Sequence, residues 1–371
     1  MALSTDDLAR YQRHLSLPEI GAEGQERLGN ALVGIVGMGG LGSPAALYLA
    51  AAGIGRLRLI DHDAVDLSNL QRQVLYATAD IGAAKVECAR ARLQALNPAI
   101  EVTACNEAVG ALNAGRLLGD CDVVVDGTDR LAARYLVNDA CVLLGRTLVS
   151  AAIHRFEGQM LTVVPGKGPC YRCLFAESAD GLVPNCADAG VLGVLPGVMG
   201  CLQATEVIKL ITAIGEPLVG RLLVFDALAM SFRRFAVERR VDCAVCGDSP
   251  SIRTLRSHAA ATVSRMSASE LSRSAERIRR GDLAVVDVRE EHEFVAGHLP
   301  GAINIPLAQL PTRLHELPVC EALVMLCRSG GRSEEACQAA LRAGVNGVFN
   351  LDGGLLAWAR DIDPSLRVVD P

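Results

Sequence analysis

Two C-x-x-C pairs, Cys170/Cys173 and Cys243/Cys246, lie far downstream of a Gly-rich loop, Gly37-Met-Gly39-Gly40-Leu-Gly42, in the same chain. Each pair can present two thiolates to one side of a tetrahedral ion. Two pairs complete a closed four-sulfur zinc site with no position left for substrate. Such a metal is structural, and the fold that carries it must bring both segments together. A redox role for either pair is the alternative. The turn formers around them, Gly-Pro before Cys170 and Gly-Asp after Cys246, favour zinc.

The chain of 371 residues exceeds one usual domain, and roughly 100 to 200 residues per domain suggests two. Half of the residues are hydrophobic, enough for a substantial core. The net charge of −6, spread along the chain, leaves no footprint for nucleic acid or an anionic membrane. A small anion or another protein is the expected partner. Thirteen cysteines, behind a start without a basic-then-apolar leader, point to a reducing cytoplasm rather than to a secreted disulfide framework. The uncharged stretch Ala31 to Gly55 is long enough to raise the question of a membrane span. Its glycines and Pro44 divide it instead into a strand (Ala31 to Val36), a Gly turn and an Ala-rich helix.

Short aliphatic runs ending in acid, Leu57 to Asp61 and Asp122 to Asp126, alternate with helical patterns. This is the signature of a doubly wound, Rossmann-like α/β sheet. After Cys246 the composition turns to Ser, Pro, Arg and Ala. The organisation expected is a first domain over 1–248, a linker over 249–265 and a smaller α/β domain over 266–371. Ser267-Ala-Ser-Glu270 has the spacing of a helix capping box. Val285-Val286-Asp287 and Leu323 to Leu326 read as parallel strands, and no internal repeats are present.

Glycines 37, 39 and 42 after a strand, with Ser43-Pro44 opening a helix, let backbone amides approach a phosphate. Asp61 follows at a strand end, where a carboxylate can accept ribose hydroxyls, so NAD and ATP both stay open. Ser68-Asn69-Leu-Gln71-Arg72-Gln73 and Lys85 then supply more positive charge than a pyrophosphate bridge needs. A triphosphate under attack does need it. Asp129 could hold magnesium. Singly, Arg72 and Lys85 also fit a solvated helix face, and Asp129 a helix N-cap.

Arg10-Tyr-Gln-Arg13-His14, Gly37 to Ser43, Ser68 to Gln73, Lys85, Asp126-Gly-Thr-Asp129, Cys170-Tyr-Arg-Cys173, Asn185-Cys186-Ala-Asp188 and Cys243-Ala-Val-Cys246 occur in this order. Over nearly all of residues 4–248 the chain thereby resembles the adenylating enzymes that activate ubiquitin-like sulfur carriers, those of the molybdopterin-synthase and thiamine pathways among them. The resemblance implies that a carrier ending in Gly-Gly attacks the α-phosphate of ATP, giving an acyl adenylate and pyrophosphate. It implies that Asp61 binds ribose, that Asn69, Arg72 and Lys85 grip phosphates, and that Asp129 serves magnesium. Gly37, Gly39, Gly40, Gly42, Ser68, Gln73 and Arg130 complete the nucleotide contacts. Arg13 would reach across a homodimer interface into the neighbouring ATP site. Arg130 departs from the asparagine that many relatives carry there. Cys186 matches a cysteine that, in some relatives, attacks the adenylate to form a thioester; an inert loop cysteine is the alternative.

Cys327-Arg-Ser-Gly330-Gly331-Arg332-Ser333 follows an apolar strand and precedes an Ala-rich helix, so amides can converge on a Cys327 thiolate. With Asp287-Val-Arg289-Glu290, His298 to Pro306 and Gly353-Gly354 to Trp358, residues 266–371 resemble a rhodanese domain. Four residues separate Cys327 from Arg332, one fewer than in the loop of cysteine phosphatases on related scaffolds, which suits sulfane sulfur better than phosphate. A degenerate docking domain is the alternative, though it usually lacks the cysteine.

Cys88, Cys105, Cys121, Cys141, Cys201, Cys320 and Cys337 are expected as small core residues. His14, His154, His258 and His298 lack metal-ligand spacing. The combined expectation is a cytoplasmic enzyme that adenylates a sulfur carrier and passes it sulfur from a Cys327 persulfide, drawn from thiosulfate or a cysteine desulfurase. It uses ATP, magnesium and zinc. Carriers of this kind serve molybdenum cofactor, thiamine, cysteine and thiolated tRNA synthesis. The competing readings are a zinc-stabilised NAD-dependent oxidoreductase and a scaffold that binds carrier and sulfur donor without turnover.

Overall fold

The computed structural model describes residues 3–176, 190–255 and 263–369. These form two compact units, the first built from described residues up to 255 and the second from residue 263 onward.

The first unit holds an eight-stranded sheet. Its strands are β1 (Leu32–Val36), β2 (Arg56–Ile60), β3 (Glu101–Cys105), β4 (Val123–Asp126), β5 (Thr147–His154), β6 (Glu157–Val163), β7 (Arg221–Asp226) and β8 (Ser231–Ala236), in the order β3-β2-β1-β4-β5-β6-β7-β8. The five from β3 to β5 are parallel. This is the doubly wound sheet that the sequence alternation implies. β1 alternates its burial between two layers. Val33 and Ile35 join the core under the helices Gly42–Ala51, Lys85–Leu96 and Val194–Thr212; Leu32 and Val36 join the opposite core under Ala114–Leu118 and Leu131–Leu144. Gly34 faces the second layer, where a Cβ would stand 2.9 Å from the Cys121 sulfur.

β6 to β8 are antiparallel additions. Their turns carry no glycine signal. Arg155 and Met230 take the left-handed conformation there, at φ 53° and 50°, which hairpins more often give to Gly or Asn.

The span 31–55 is the strand, Gly turn and helix expected of it. Among the described residues, one helix, Val194–Thr212, is long and apolar enough to cross a membrane by length and composition. Here it lies on the sheet, with Leu195, Met199, Ala204 and Val207 in the core. Its one buried carboxylate, Glu206, accepts the Thr162 hydroxyl and the Leu218 amide.

The second unit is a parallel five-stranded sheet. It comprises β9 (Ser264–Met266), β10 (Leu283–Asp287), β11 (Ile303–Asn304), β12 (Ala322–Leu326) and β13 (Val348–Leu351), in the order β11-β10-β12-β13-β9. Ser267 caps the first helix reciprocally with Glu270, the capping box read from the sequence. Central β12 is buried throughout and delivers Cys327 at its carboxyl end. Of the seven cysteines expected in the cores, Cys121, Cys141 and Cys337 are buried. Cys88, Cys105, Cys201 and Cys320 are partly buried, and of these Cys88, Cys105 and Cys320 pack against the cores from their edges.

Candidate functional site

In the first unit β1 is flanked by β2 and β4, with Val36 opposite both Ile60 and Asp126. The chain winds in opposite directions from β1, and the crevice at the strands' carboxyl ends is where such sheets bind ligands. The Gly loop fills it. Gly37 takes φ +88°, and a Cβ there would meet the Gly127 carbonyl at 2.8 Å, so the loop after β1 and the loop after β4 touch backbone to backbone. The Met38 carbonyl accepts the hydroxyls of Ser43 and Tyr76, at 3.2 and 2.7 Å, and the Met38 amide donates to Asp61 at 2.7 Å. The amides of Gly39, Gly40 and Leu41 donate to no partner among the described residues. They stand ahead of the helix Gly42–Ala51, as donors placed for a phosphate.

The residues after β2 complete this edge. Asp61 accepts the Met38 and Asp63 amides, so its carboxylate ties the strand end to the Gly loop. Lys85 opens the helix Lys85–Leu96 with its side chain 5% exposed and its ammonium 2.9 Å from Asp63. Burial would raise the Asp63 carboxyl, but Lys85 outweighs it and holds the group below the usual carboxylate range. Arg72 donates to the Ser68 carbonyl at 2.9 Å, and Ser68 in turn bonds Asp66. Asn69 donates to the Ser68 hydroxyl at 3.3 Å. Gln73 is buried, its amide nitrogen is the side-chain atom nearest Gly39, and its amide oxygen has no partner. That orphaned oxygen and the free loop amides fit a bound nucleotide. Buried Asp126 accepts the Thr128 amide and hydroxyl and the Ser150 hydroxyl. It thereby shapes the loop on which Asp129 and Arg130 stand exposed. Asp63 and Ser150 were not singled out from the sequence: Asp63 stands two residues past the strand acid, and Ser150 carried no signal.

The two C-x-x-C pairs converge. Cys170 and Cys243 lie 3.6 Å apart and Cys173 and Cys246 3.3 Å, and all four sulfurs lie within 4.8 Å of one another. A tetrahedron of thiolates around zinc has edges of about 3.8 Å. None of the described cysteines forms a disulfide, and four sulfurs gathered about one point suit a metal ion better than a redox pair. Burial, then the neighbouring thiols, pushes Cys170 up, and burial pushes Cys246 up to about 12. Four clustered thiols, three of them on buried residues, can ionise together only around a cation. The helix Leu131–Leu144 holds this knuckle: Asn138 accepts the Tyr171 amide at 2.9 Å, and Asp139 takes Arg172 through two bonds of 2.8 Å. Arg172 also covers the Tyr135 ring at 4.6 Å. Chelating the metal is expected to lower the melting temperature of the first unit by roughly 10 °C, the result of losing a few kcal/mol in a unit this size. Calorimetry with and without a zinc-selective chelator measures it.

In the second unit, Cys327 is 1% exposed. Its sulfur accepts the Gly330 amide at 3.2 Å and the Ser333 hydroxyl at 3.4 Å. Gly330 takes φ +100°, which turns its amide inward, and a Cβ on Gly354 would strike the Cys327 carbonyl at 2.5 Å. The Leu355 and Leu356 amides accordingly donate to the Cys327 and Arg328 carbonyls. Arg332 is gripped by the fully buried Glu293 at 2.6 and 2.8 Å. Burial would raise Glu293, but Arg332 outweighs it and holds the carboxyl low.

Comparison with known proteins supplies the family. A model of the ThiF family matches residues 11–245, and one of the rhodanese-like domain matches residues 270–361. The chain belongs to the ThiF family. Similar full-length proteins are the probable adenylyltransferase/sulfurtransferase MoeZ of Mycobacterium tuberculosis, 41% identical over 98% of this chain and 96% of that one, and the adenylyltransferase and sulfurtransferase MOCS3 of Arabidopsis thaliana, 39% identical over 98% and 86%. Among solved structures, Escherichia coli MccB with ATP superposes at a TM-score of 0.56 and 28% identity, covering 64% of this chain and 74% of that one. This ThiF-family chain is an enzyme that combines adenylyltransferase and sulfurtransferase units. Of the residues read as its site, Cys186 lies outside the described residues. Arg13 is exposed and makes no hydrogen bond or ion pair among the described residues, although Tyr11, close before it, is buried and bonded to Asn97.

Proposed function

We propose that the protein adenylates the C-terminal glycine of a ubiquitin-like sulfur carrier at the β1–β4 crevice and converts it to a thiocarboxylate with sulfur carried on Cys327. The observation that carries this reading is the enclosed Cys327 sulfur with its two donors, in a chain whose other unit holds a free-amide phosphate loop.

The carrier carboxylate attacks the α-phosphorus of ATP, the bond to the β-phosphate oxygen breaks, and pyrophosphate leaves. The Gly39 to Leu41 amides, Asn69, Arg72 and Lys85 hold the phosphates, Gln73 lines the loop, and Asp61 takes the ribose. Asp129 would hold magnesium, whose charge helps neutralise the phosphates. Arg13 reaches the site of a second copy in a homodimer. The outer sulfur of the Cys327 persulfide then attacks the acyl carbon and AMP leaves. A second thiol attacks Cys327 Sγ, releasing the thiocarboxylate and leaving a disulfide for a cellular dithiol to reduce. In a variant of this route Cys186 first attacks the acyl adenylate, AMP leaves, and the persulfide then displaces the Cys186 thiolate from the resulting thioester. Free cysteines throughout the described residues suit the cytoplasm.

The test is the intact mass of a Gly-Gly carrier incubated with the protein, magnesium-ATP, thiosulfate and a dithiol. A thiocarboxylate is expected; carrier left unmodified overturns the reading. Cutting the chain within 256–262 is expected to slow thiocarboxylate formation and leave adenylation intact, because a tether between the units gives effective concentrations on the order of millimolar. Equal rates for cut and intact chains would refute that coupling.

A further inference from the structure

The two donors to Cys327 differ in kind. The Gly330 amide is fixed by its backbone. A serine hydroxyl rotates and has one proton and two lone pairs to distribute. Besides the sulfur, Ser333 Oγ faces the Gly330 carbonyl at 3.2 Å and Asn350 Oδ1 at 2.6 Å. Ser333 is 0% exposed and Asn350 3%. The orientation of Asn350 follows from its partners. The other end of its amide lies 3.0 Å from the Gly330 carbonyl, which can only accept. That end is therefore the NH2, and the oxygen faces Ser333.

We propose that Ser333 is a catalytic residue of sulfur transfer and that Asn350 is the positioning residue that aims it. This rests on Cys327 as the sulfur-bearing thiol. While Cys327 is neutral, the Ser333 proton occupies the short bond to Asn350 and a Ser333 lone pair faces the sulfur. When charge returns to Cys327, the hydroxyl turns and donates to it, since a bond to an ionised acceptor is the stronger. Charge returns to Cys327 Sγ in the carrier route when the dithiol attacks the second thiol's sulfur and breaks its bond to Sγ, and it returns directly when the persulfide is discharged to a thiophile such as cyanide. A nucleophile takes the outer sulfur, the bond between it and Cys327 Sγ breaks, and the electron pair stays on Sγ as thiolate. Ser333 then supplies a donor at the leaving sulfur, beside the Gly330 amide. Asn350 supplies the place where that proton waits, and through the Gly330 carbonyl it holds both donors in one frame.

The test uses the full-length chain, charged with thiosulfate, freed of excess and mixed with cyanide under single-turnover conditions, with thiocyanate as the readout. Ser333→Ala is expected to slow discharge about tenfold, the effect of losing one hydrogen bond to a charged group. Ser333→Thr, which keeps the hydroxyl, restores the rate, and a merely structural role would not give that pattern. Asn350→Ala slows discharge as well, and the double variant loses less than the product of the two single losses, because Asn350 acts through Ser333. Discharge of Ser333→Ala at the full rate overturns the inference, as do a failure of Ser333→Ala to take up sulfur, no rescue by threonine, or independent losses in the double variant. Cys327→Ser run in parallel separates the two levels. If it still forms thiocyanate, the assignment of Cys327 fails. If it is inert while Ser333→Ala is unimpaired, only the role of Ser333 fails.

Discussion

With Cys327 replaced by serine, a Gly-Gly carrier incubated with magnesium-ATP, thiosulfate and a dithiol is expected to stop at the adenylate, and no thiocarboxylate forms. A serine hydroxyl cannot carry sulfane sulfur, and the substitution removes the one atom toward which the Gly330 amide and the Ser333 hydroxyl converge. The change is nearly isosteric in a loop whose carbonyls are tied to the Leu355 and Leu356 amides, so the second unit keeps its fold. Carrier-dependent exchange of pyrophosphate into ATP continues, since every residue assigned to it lies in the first unit. Thiocarboxylate at the wild-type yield would show that sulfur arrives by a route that bypasses Cys327.

Lys85→Ala is expected to reduce that exchange by about 10² to 10³-fold, and Asp129→Ala by a similar factor. Each removes a preorganised charge from the phosphates, worth roughly 3 to 4 kcal/mol of transition-state stabilisation. Lys85 has a second reason to matter. Its ammonium is almost fully buried against Asp63, so alanine leaves that carboxylate without its main counter-charge at the mouth of the site. Asp63→Asn in the Lys85→Ala background should therefore recover stability without recovering exchange. Exchange near the normal rate in both single variants would sink the adenylation assignment.

How much of this was legible beforehand follows the range of the interactions. The Gly loop, β1, β2 and β4 showed because each rests on local pattern: apolar runs, acid at the strand end, glycines at fixed offsets. The C-x-x-C pairs showed because metal geometry restricts spacing, even across the long interval between them. What stayed hidden is held by long-range hydrogen bonds between ordinary residue types. Asp63 at Lys85, Asn138 and Asp139 beneath the zinc knuckle, Glu293 at Arg332, and Asn350 at Ser333 have no compositional mark. The antiparallel strands β6 to β8 were missed for a related reason: their turns use Arg155 and Met230 where glycine would have announced them. Cys88, Cys105 and Cys320 pack against the cores without being fully buried, and Cys201 joins none of the core clusters, since an apolar sequence context does not reveal how deeply a thiol sits.

The helix Leu131–Leu144 touches both halves of the first unit's chemistry. Near its start Arg134 donates to the Thr128 carbonyl at 2.6 Å, beside Asp126; about one turn on, Asn138 and Asp139 hold the Cys170–Cys173 turn. A single ladder of backbone hydrogen bonds thus carries the floor of the loop bearing Asp129 and the cradle of the four-cysteine knuckle. Such a ladder opens as one cooperative segment. Fluctuations that release the knuckle also release the loop bearing Asp129, and the two should share one free energy of opening in hydrogen exchange. The four-cysteine knuckle, which supplies none of the residues assigned to the nucleotide, is thereby expected to govern how often the nucleotide site exists in its working shape.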